Sequence, residues 1–338
     1  MKNATIIGPY LIHNFGDDLI GAIISKALEI KNYSISIPFF TDQNSKWLNV
    51  NNKPDRVSAV KKSDLIIIGG GGMFGDAGIS PKDTYRILSL KAAIQGKLRG
   101  KRVISTGVGA GPLTFKKSYL LTFLICLLSE RIGVRDIESY RFLIKIGVSK
   151  RKIVTGADVA LLCSDFLPIG NSGTKIGIQF DIFHFKDILE NPAIKDIFNE
   201  IITFGHFNKE NIALISNGNH LSQLCKYLED AETICYYGHL PHFLQQLNNM
   251  KVIFTSHLHL AITAYSYRIP CFSLYVREKT RRFYDQIGHP ERAVDLRSAK
   301  KEDCIRIINE LQTAEWTSFD EERLNELKQK SQTLLDII

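Results

Sequence analysis

Short apolar runs alternate with longer amphipathic segments along the whole of this 338-residue sequence. The apolar runs have the length of buried strands, and the amphipathic segments have the length of helices. This alternation is typical of a parallel β-sheet flanked by helices, because parallel strands are joined by helical crossovers. The pattern therefore predicts an α/β fold.

The first half of the chain contains a complete series of such alternations. The predicted strands are Ala4–Ile7, Ser34–Pro38, Asp64–Ile68, Arg102–Thr106, Arg131–Val134 and Lys152–Val154. The predicted helices are Asp17–Glu29, Asp83–Arg99, Lys116–Leu128 and Asp136–Ile146.

A second series follows a stretch rich in proline, glycine and serine, Leu167–Thr174, which we interpret as a linker. Leu258–Tyr267 is predicted to be a buried helix, and Phe319–Ile338 a tail helix. We therefore predict two tandem Rossmann-like domains, residues 1–166 and 167–338, with a ligand cleft between the carboxyl ends of their strands. The predicted strands of the second series are Lys175–Phe180, Ile212–Ser216, Thr233–Tyr236, Val252–Thr255 and Cys271–Leu274.

The net charge of the chain indicates which kinds of partner it binds. The formal net charge of +8 favours anionic partners such as phosphorylated substrates, anionic lipid or nucleic acid. We expect no nucleic acid partner, because no zinc-finger spacing, RNA-recognition signature or long basic run occurs.

Six cysteines without a CxxC pair favour a reduced, cytoplasmic setting. The most apolar segment, Tyr119–Leu128, is about half as long as a membrane-spanning helix, so we expect a soluble chain.

The first candidate site follows the first strand, in the residues His13–Asp18. Gly16 permits a tight turn, and one of the two aspartates, Asp17 or Asp18, is expected to cap the next helix. The other carboxylate would orient a sugar hydroxyl or act as a base.

Two glycine-rich segments follow the third and fourth strands, at Gly69–Asp76 and Gly107–Pro112. Neither contains the dinucleotide fingerprint or the phosphate-loop lysine pattern. Each is interpreted either as a tight crossover or as bare backbone that offers N–H groups to an anion. Gly71, Gly72 and Gly109 are the glycines expected to face such an anion.

Arg135 and Asp136 stand at the end of the fifth strand, and Asp158 follows the sixth. Arg135 either pairs with an aspartate or presents a planar fork to a carboxylate or phosphate. Asp158 is interpreted as structural.

The second half contains Ser256-His257-Leu258-His259 after a strand. In an extended chain the two histidines would point the same way, as in half of a metal site. No third ligand has recognisable spacing, so we predict no metal. A histidine at a strand end is the best candidate for a general acid or base, because its pKa lies near neutrality.

A basic cluster, Tyr275–Arg282, follows the last predicted strand. It is interpreted either as the solvated face of a helix or as a wall that binds an anion. Its four cations are Arg277, Lys279, Arg281 and Arg282.

These segments, in this order and spacing, resemble the polysaccharide pyruvyl transferase family. The resemblance covers most of the chain, from the N-x-GDD and GGGGMFGD segments through GVGAGP, VRD and TGAD to S-x-L-H and the late lysine. It implies two Rossmann-like domains similar to the GT-B glycosyltransferases. It also implies transfer of pyruvate from phosphoenolpyruvate, the co-substrate, onto two hydroxyls of one sugar, giving a cyclic ketal and phosphate without a further cofactor.

The resemblance implies a role for several residues. His259 matches the motif histidine and is assigned proton transfer, and Arg135 and Lys279 match residues that contact the donor. The family motif Arg-Leu-His is replaced here by His257-Leu258-His259. The missing positive charge is expected to come from His257, when protonated, or from one of Arg277, Arg281 and Arg282. In the first domain we predict Asp17 as the second catalytic residue and expect the acceptor to contact Asn14, Asp18 and Asp76.

Two other functions remain open: a GT-B-type glycosyltransferase that uses a nucleotide sugar, and a catalytically inactive binding relative. Acceptors in this family are often lipid-linked, which favours peripheral contact with the anionic inner face of the cell membrane. The cations expected to make that contact bracket Tyr119–Leu128, and they are Lys97, Arg99, Lys101, Arg102, Lys116 and Lys117.

Overall fold

A computed structural model describes residues 1–75, 83–170, 173–181, 192–216 and 223–338. It shows two parallel six-stranded sheets, each flanked by helices, which confirms the predicted fold class.

The chain divides into two compact units. The first consists of Met1–Phe166 together with Leu327–Ile338, and the second consists of Leu167–Glu326. The last residues of the tail therefore group with the first unit, although we had placed the whole tail in the second domain.

Every strand predicted for the first half is present. The central strand Leu65–Gly69 is buried along its whole length, as expected for a strand covered on both faces. The strands are β1 Lys2–Ile7, β2 Tyr33–Ser36, β3 Leu65–Gly69, β4 Arg102–Val108, β5 Arg131–Val134 and β6 Ile153–Thr155. They pair in the order β2-β1-β3-β4-β5-β6.

The helices of the first unit include the four that were predicted. The sequence analysis missed α2 and α3, each of seven residues, because so short a helix shows little apolar periodicity. The helices are α1 Phe15–Ile30, α2 Asp42–Leu48, α3 Arg56–Lys62, α4 Thr84–Lys97, α5 Lys116–Leu128, α6 Ile137–Lys145 and α7 Cys163–Phe166.

The second unit has a sheet of the same kind. Its edge strand Ala293–Asp295 was not predicted, because three half-buried residues leave no recognisable apolar run. The strands are β7 Lys175–Gln179, β8 Ile212–Ser216, β9 Glu232–Cys235, β10 Met250–Thr255, β11 Cys271–Tyr275 and β12 Ala293–Asp295. Their order is β12-β11-β10-β7-β8-β9.

The helices that follow Leu167 include the predicted buried helix and the predicted tail helix. Every residue of Leu258–Ser266 is buried, as its apolar composition suggests. Within the described residues these helices are α8 Pro192–Phe207, α9 Leu240–Leu247, α10 Leu258–Ser266, α11 Glu278–Ile287, α12 Lys301–Thr313 and α13 Ser318–Asp336.

The end of α13 packs on the first unit through specific polar contacts. The Thr106 hydroxyl donates to the carbonyl oxygen of Leu334 at 2.6 Å, and the Ser331 hydroxyl donates to that of Asp158 at 2.9 Å. A Cβ atom on Gly156 would lie 2.3 Å from the carbonyl oxygen of Lys330. The bare backbone at Gly156 thus lets the helix approach β6, which explains why the tail groups with this unit.

The apolar segment Tyr119–Leu128 lies within α5, which buries one face and exposes the other. Ile125 and Cys126 are fully buried, whereas Leu120 and Leu127 are exposed. Among the described residues, no helix combines the length and the apolar character needed to cross a bilayer.

A buried carboxylate, Asp320, holds the start of α13 in the second unit. His289 contacts Asp320 Oδ1 through Nε2 at 2.9 Å and Glu291 Oε1 through Nδ1 at 2.8 Å. Both ring nitrogens can donate only when the imidazole is protonated. The hydrogen bond to Asp320 accordingly raises the pKa of His289, despite partial burial. Burial opposes ionisation of Asp320, but hydrogen bonds from His289 and Thr317 lower its pKa to about 2.

We predict that His289→Ala lowers the free energy of unfolding, and lowers it more in acid than in base. Because the folded-state pKa of His289 is raised, its contribution is complete below the unfolded pKa of about 6.5 and is lost as the pH rises through the folded value. Denaturant unfolding should show a deficit of about 1–3 kcal/mol near pH 5 that shrinks near pH 9. A deficit equal at both pH values, or one matched by His206→Ala at an exposed site, would contradict this explanation.

Candidate functional site

Asp17 stands in the first turn of α1, at the carboxyl edge of the first sheet. The helix begins at Phe15, so its cap is Asn14, whose side-chain oxygen accepts a hydrogen bond from the Gly16 N–H at 3.1 Å. Our expectation that Asp17 or Asp18 caps this helix was wrong, because both already lie inside it. Asp18 is fully buried, whereas Asp17 is only partly buried.

The two glycine-rich segments are hydrogen-bonded to each other. The Gly109 N–H donates to the Gly71 carbonyl oxygen at 2.9 Å, and the Phe74 N–H donates to that of Gly109 at 3.3 Å. The Gly111 N–H donates to the Phe74 carbonyl at 2.8 Å. The amide of Gly109, which we expected to face an anion, is therefore used within the protein.

Gly71 brings the glycine-rich segment against Asp17. Its φ is +67°, and a Cβ atom there would lie 2.1 Å from Asp17 Oδ1, so only glycine fits this position. A Cβ atom on the neighbouring Gly72 would meet nothing within 4 Å. Within the described part of the chain, neither of these two amide N–H groups donates a hydrogen bond.

Arg135 is buried in an ion pair, which is one of the two roles the sequence left open. Its Nη1 donates to Asp158 Oδ2 at 2.8 Å, and its Nε lies 3.8 Å from Asp136 Oδ2. The guanidinium also lies against Gly109, where a Cβ atom would be 2.7 Å from Arg135 Nε. Asp158, as expected, is structural: its Oδ1 accepts from the Ala160 N–H at 3.0 Å.

Sequence reasoning missed the residues that hold the end of the GGGGMFG segment. Arg86 donates to the Gly75 carbonyl oxygen at 2.7 Å and to Asp83 Oδ1 at 2.5 Å. The Ser118 hydroxyl donates to the same carboxylate at 2.9 Å. No motif marked these residues, because the three come from two helices and a turn. Asp76, a predicted acceptor contact, lies outside the described residues.

Tyr10 is a second residue that the sequence did not reveal. Its ring is fully buried, where a Cβ atom on Gly21 would lie 2.8 Å from it, and its edge meets the Phe40 ring at a centroid distance of 5.4 Å. Burial, and then the charges of Asp17 and Asp18, raise the pKa of this phenol well above its ordinary value. Tyr10 is thus a neutral hydroxyl beneath the aspartate pair.

In the second unit, the two motif histidines follow the carboxyl end of β10. His257 caps α10 with extended backbone, and His259 is already helical and 7% exposed. Because His259 lies within the helix, the two histidines do not have the same-side arrangement that an extended chain would give them. Among the described residues, no cluster of three or more His, Cys, Asp or Glu side chains could hold a metal ion.

The basic cluster begins at the neighbouring strand end, after β11. Arg277 caps α11, and Lys279 lies in its first turn. Arg277 is exposed, yet the protein packed around it lowers the pKa of its guanidinium. Arg281 forms surface ion pairs with Glu278 at 2.8 Å and Asp285 at 2.7 Å. Arg277 and Lys279 are the cations of the cluster that follow β11 most closely in the chain, and β11 pairs with β10, the strand that precedes the histidines.

Gln179, at the end of β7, fixes the turn that carries His257. Its side-chain oxygen accepts hydrogen bonds from the Thr255 hydroxyl at 2.7 Å and from the Ser256 N–H at 3.1 Å. The Thr255 hydroxyl oxygen in turn accepts from the His257 N–H at 2.9 Å. Gln179 is 1% exposed, so it is a positioning residue that no motif suggested.

Comparison with protein families gives one match that covers most of the chain. The family model of polysaccharide pyruvyl transferases matches residues 14–278. A search among curated proteins gave no significant sequence match.

Solved structures share the fold at low sequence identity. A UDP-GlcNAc 2-epimerase from Methanocaldococcus jannaschii is similar with a TM-score of 0.67 at 14% identity, over 100% of this chain and 99% of that one. A UDP-GlcNAc 2-epimerase from Neisseria meningitidis, bound to UDP-GlcNAc, gives 0.63 at 13% identity over 99% of each chain. These similarities show a GT-B-like fold.

We predict that Gln179→Met destabilises the second unit, because methionine leaves the buried Thr255 hydroxyl without its side-chain acceptor, whereas the Ser256 N–H keeps the Gln179 backbone carbonyl oxygen at 3.0 Å. The expected loss in the free energy of unfolding is about 1–3 kcal/mol. Gln245→Met, at an exposed position on α9, is the matched control. Equal denaturation midpoints for Gln179→Met and Gln245→Met would contradict the assigned role.

Proposed function

This chain belongs to the polysaccharide pyruvyl transferase family, and on that premise we propose that it forms a pyruvate ketal on a saccharide, with phosphoenolpyruvate as donor. Two sugar hydroxyl oxygens attach to C2 of the donor, and its bond to the phosphate oxygen breaks. Of the two hydroxyl protons, one ends on the methylene carbon, which becomes a methyl group, and the other leaves with the phosphate. The match over residues 14–278 is the observation that carries the proposal.

His259 is the residue we assign to protonation of the donor carbon. It lies in the first turn of α10, just beyond β10, and it is almost wholly shielded from water. A shielded imidazole exchanges protons with a substrate rather than with solvent. Histidine is the side chain most often used as a general acid or base.

The charge of the donor calls for cations and amide donors, and each unit, taken by itself, contains candidates. In the second unit, Arg277, Lys279 and, when protonated, His257 are assigned to the donor anion. In the first unit, Gly71 and Gly72 offer amide N–H groups. Hydrogen bonds of this charge-assisted kind are the strong ones.

Gly109 and Arg135 complete the predicted donor set in the first unit. They contact each other, and both are already bonded within the protein. We therefore assign them to the support of the Gly71 segment and of the strand ends beside it.

Asp17 is the residue we assign to the acceptor, as the base that takes a proton from a sugar hydroxyl. It is only partly buried, and it lies directly against Gly71. Asn14 and Asp18, also predicted as acceptor contacts, support the start of α1: Asn14 caps the helix, and Asp18 is fully buried. Asp17 is therefore the described carboxylate of this turn best placed to meet a substrate.

A nucleotide-sugar reaction is the second candidate. The observation in its favour is the GT-B-like fold shared with epimerases, one of which is bound to UDP-GlcNAc. A common fold does not specify a reaction, so the substrates must be compared directly.

Peripheral contact with an anionic membrane is proposed at the outer face of α5. Leu120 and Leu127 are exposed on this helix, and the exposed residues Phe115, Lys116 and Lys117 precede or begin it. Several cations of the predicted set have acidic partners instead: Glu130 pairs with Lys97 at 3.0 Å and with Arg102 at 3.3 Å, and Lys101 lies 3.7 Å from Asp64. The lysines of α5 are thus the better candidates for lipid contact.

We predict that the purified protein releases phosphate from phosphoenolpyruvate when a lipid-linked saccharide acceptor is added, with gain of a ketal by the acceptor. His259→Ala should lower the rate by about 10²–10⁴-fold, the usual cost of losing acid–base assistance. His242→Ala, at an exposed position on α9, should leave the rate unchanged.

Titration calorimetry with UDP- and GDP-sugars tests the second candidate, the nucleotide-sugar reaction. Tight nucleotide-sugar binding with none of phosphoenolpyruvate would refute pyruvyl transfer, and binding of phosphoenolpyruvate without turnover on any acceptor would indicate an inactive relative.

We also predict that the protein sediments with phosphatidylglycerol-containing vesicles at low salt and is released as the ionic strength rises. The double substitution of Lys116 and Lys117 by glutamine should weaken binding by about 2 kcal/mol, or roughly thirty-fold. The same substitution at Lys61 and Lys62, an exposed lysine pair on α3, is the control. Equal binding by the two double variants would exclude α5 as the contact.

A further inference from the structure

Arg56, the first residue of α3, is a half-buried cation outside the site described above. Its guanidinium carbon lies 4.2 Å from the centroid of the Phe39 ring. Among the described residues, none accepts a hydrogen bond from this guanidinium and no carboxylate pairs with it. By contrast, Arg86 pairs with Asp83 at 2.5 Å and Arg135 pairs with Asp158 at 2.8 Å. Arg56 therefore holds five N–H donors in one plane, and no acid in the described part of the chain receives them.

The residue that supports Arg56 is held in a costly backbone conformation. Phe39 has a φ of +70°, a left-handed value that is unfavourable for an aromatic residue. Hydrogen bonds keep it there, since the Phe39 N–H donates to the Asn52 carbonyl oxygen and the Phe40 N–H donates to that of Ile37, both at 3.1 Å. Strain of this kind persists where the surrounding structure imposes it, and it is common at ligand-binding positions.

Arg56 lies at the same edge of the sheet as Asp17. Helix α3 ends at Lys62 and leads into the amino end of β3, so its first residue lies toward the opposite, carboxyl edge. Tyr85, in the first turn of α4, is affected by both charges. Burial raises the pKa of Tyr85, the charge of Asp17 raises it further, and the charge of Arg56 lowers it. The Tyr85 hydroxyl is therefore a neutral donor within electrostatic reach of both residues.

We propose that Arg56, stacked on Phe39 and assisted by the Tyr85 hydroxyl, forms a subsite for a phosphoryl oxyanion beside Asp17. A planar guanidinium binds two oxygens of one phosphate side by side, and the ring beneath it holds that plane in place. Under the proposed function, which this inference deepens, the phosphate belongs either to the donor or to the group that links an acceptor saccharide to its lipid. We assign it to the acceptor, because Asp17 is the carboxylate assigned to the acceptor hydroxyl.

Calorimetric titration with inorganic pyrophosphate and with phosphoenolpyruvate tests the subsite. Arg56→Gln should weaken pyrophosphate binding by about 10–100-fold, the usual effect of losing a charged hydrogen-bond partner, and leave phosphoenolpyruvate binding unchanged. Arg99→Gln, at an exposed arginine that follows the opposite end of α4, should change neither affinity. If Arg56→Gln weakens phosphoenolpyruvate binding instead, the subsite stands and its phosphate is the donor's.

Two further variants separate the subsite from a structural role. Arg56→Lys retains the charge but loses the fork, and Phe39→Leu removes the ring without changing the backbone constraint. Each should weaken pyrophosphate binding several-fold. The denaturation midpoint of each variant should equal that of Arg99→Gln. Failure of the native protein to bind either probe, or unchanged affinities in Arg56→Gln, would overturn the proposal. The measurement needs no turnover, so it succeeds or fails independently of pyruvyl transfer.

Discussion

Bare backbone at the ends of β3 and β4 is the constraint on which the candidate site of the first unit depends. Gly71 lets Asp17 lie against the chain at a place where a Cβ atom would be 2.1 Å from its carboxylate oxygen. Gly109 lets the Arg135 guanidinium lie against the next segment in the same way. Because the two segments also bond to each other, a side chain at either glycine would displace both the aspartate and the arginine.

The charged side chains near Gly109 are buried, so each depends on its ion-pair and hydrogen-bond partners. Arg135, Asp136 and Asp158 are each at most 6% exposed, and both carboxylates also cap a turn or helix. Desolvation of such charges is costly unless every partner is present. Loss of Arg135 would therefore leave two buried carboxylates uncompensated, so a loss of activity in that variant would not distinguish a donor contact from a structural defect. The half-buried Arg56 lacks such partners among the described residues, which makes its contribution to binding easier to separate from its contribution to folding.

The second unit brings its candidate site residues together at the ends of three neighbouring strands. β10 leads to the histidines, β11 leads to Arg277 and Lys279, and β7 supplies Gln179, which holds the turn between β10 and α10. Epimerases with the same fold differ from this chain at most positions, and a common fold does not specify a reaction. His257, where the family motif has an arginine, lies at one of these strand ends.

The two parallel sheets, the strands of the first unit and the family could all be predicted from the sequence. Buried strands such as β3 are continuous apolar runs, and a run of this kind is visible without knowledge of its neighbours. The motifs likewise marked the turns that carry Asp17, the glycines and His259, because glycine and polar residues interrupt apolar runs at strand ends.

Which residues contact one another could be read only from the three-dimensional structure. Asn14 rather than an aspartate caps α1, Arg135 pairs with Asp158, and the end of α13 returns to the first unit. Gln179 and Arg56 carry no sequence signal of their own, since each acts through neighbours that are distant in the chain. Periodicity and motif spacing depend on residues close in sequence, whereas hydrogen bonds, ion pairs and close glycine contacts depend on distances that arise only when the strands are side by side.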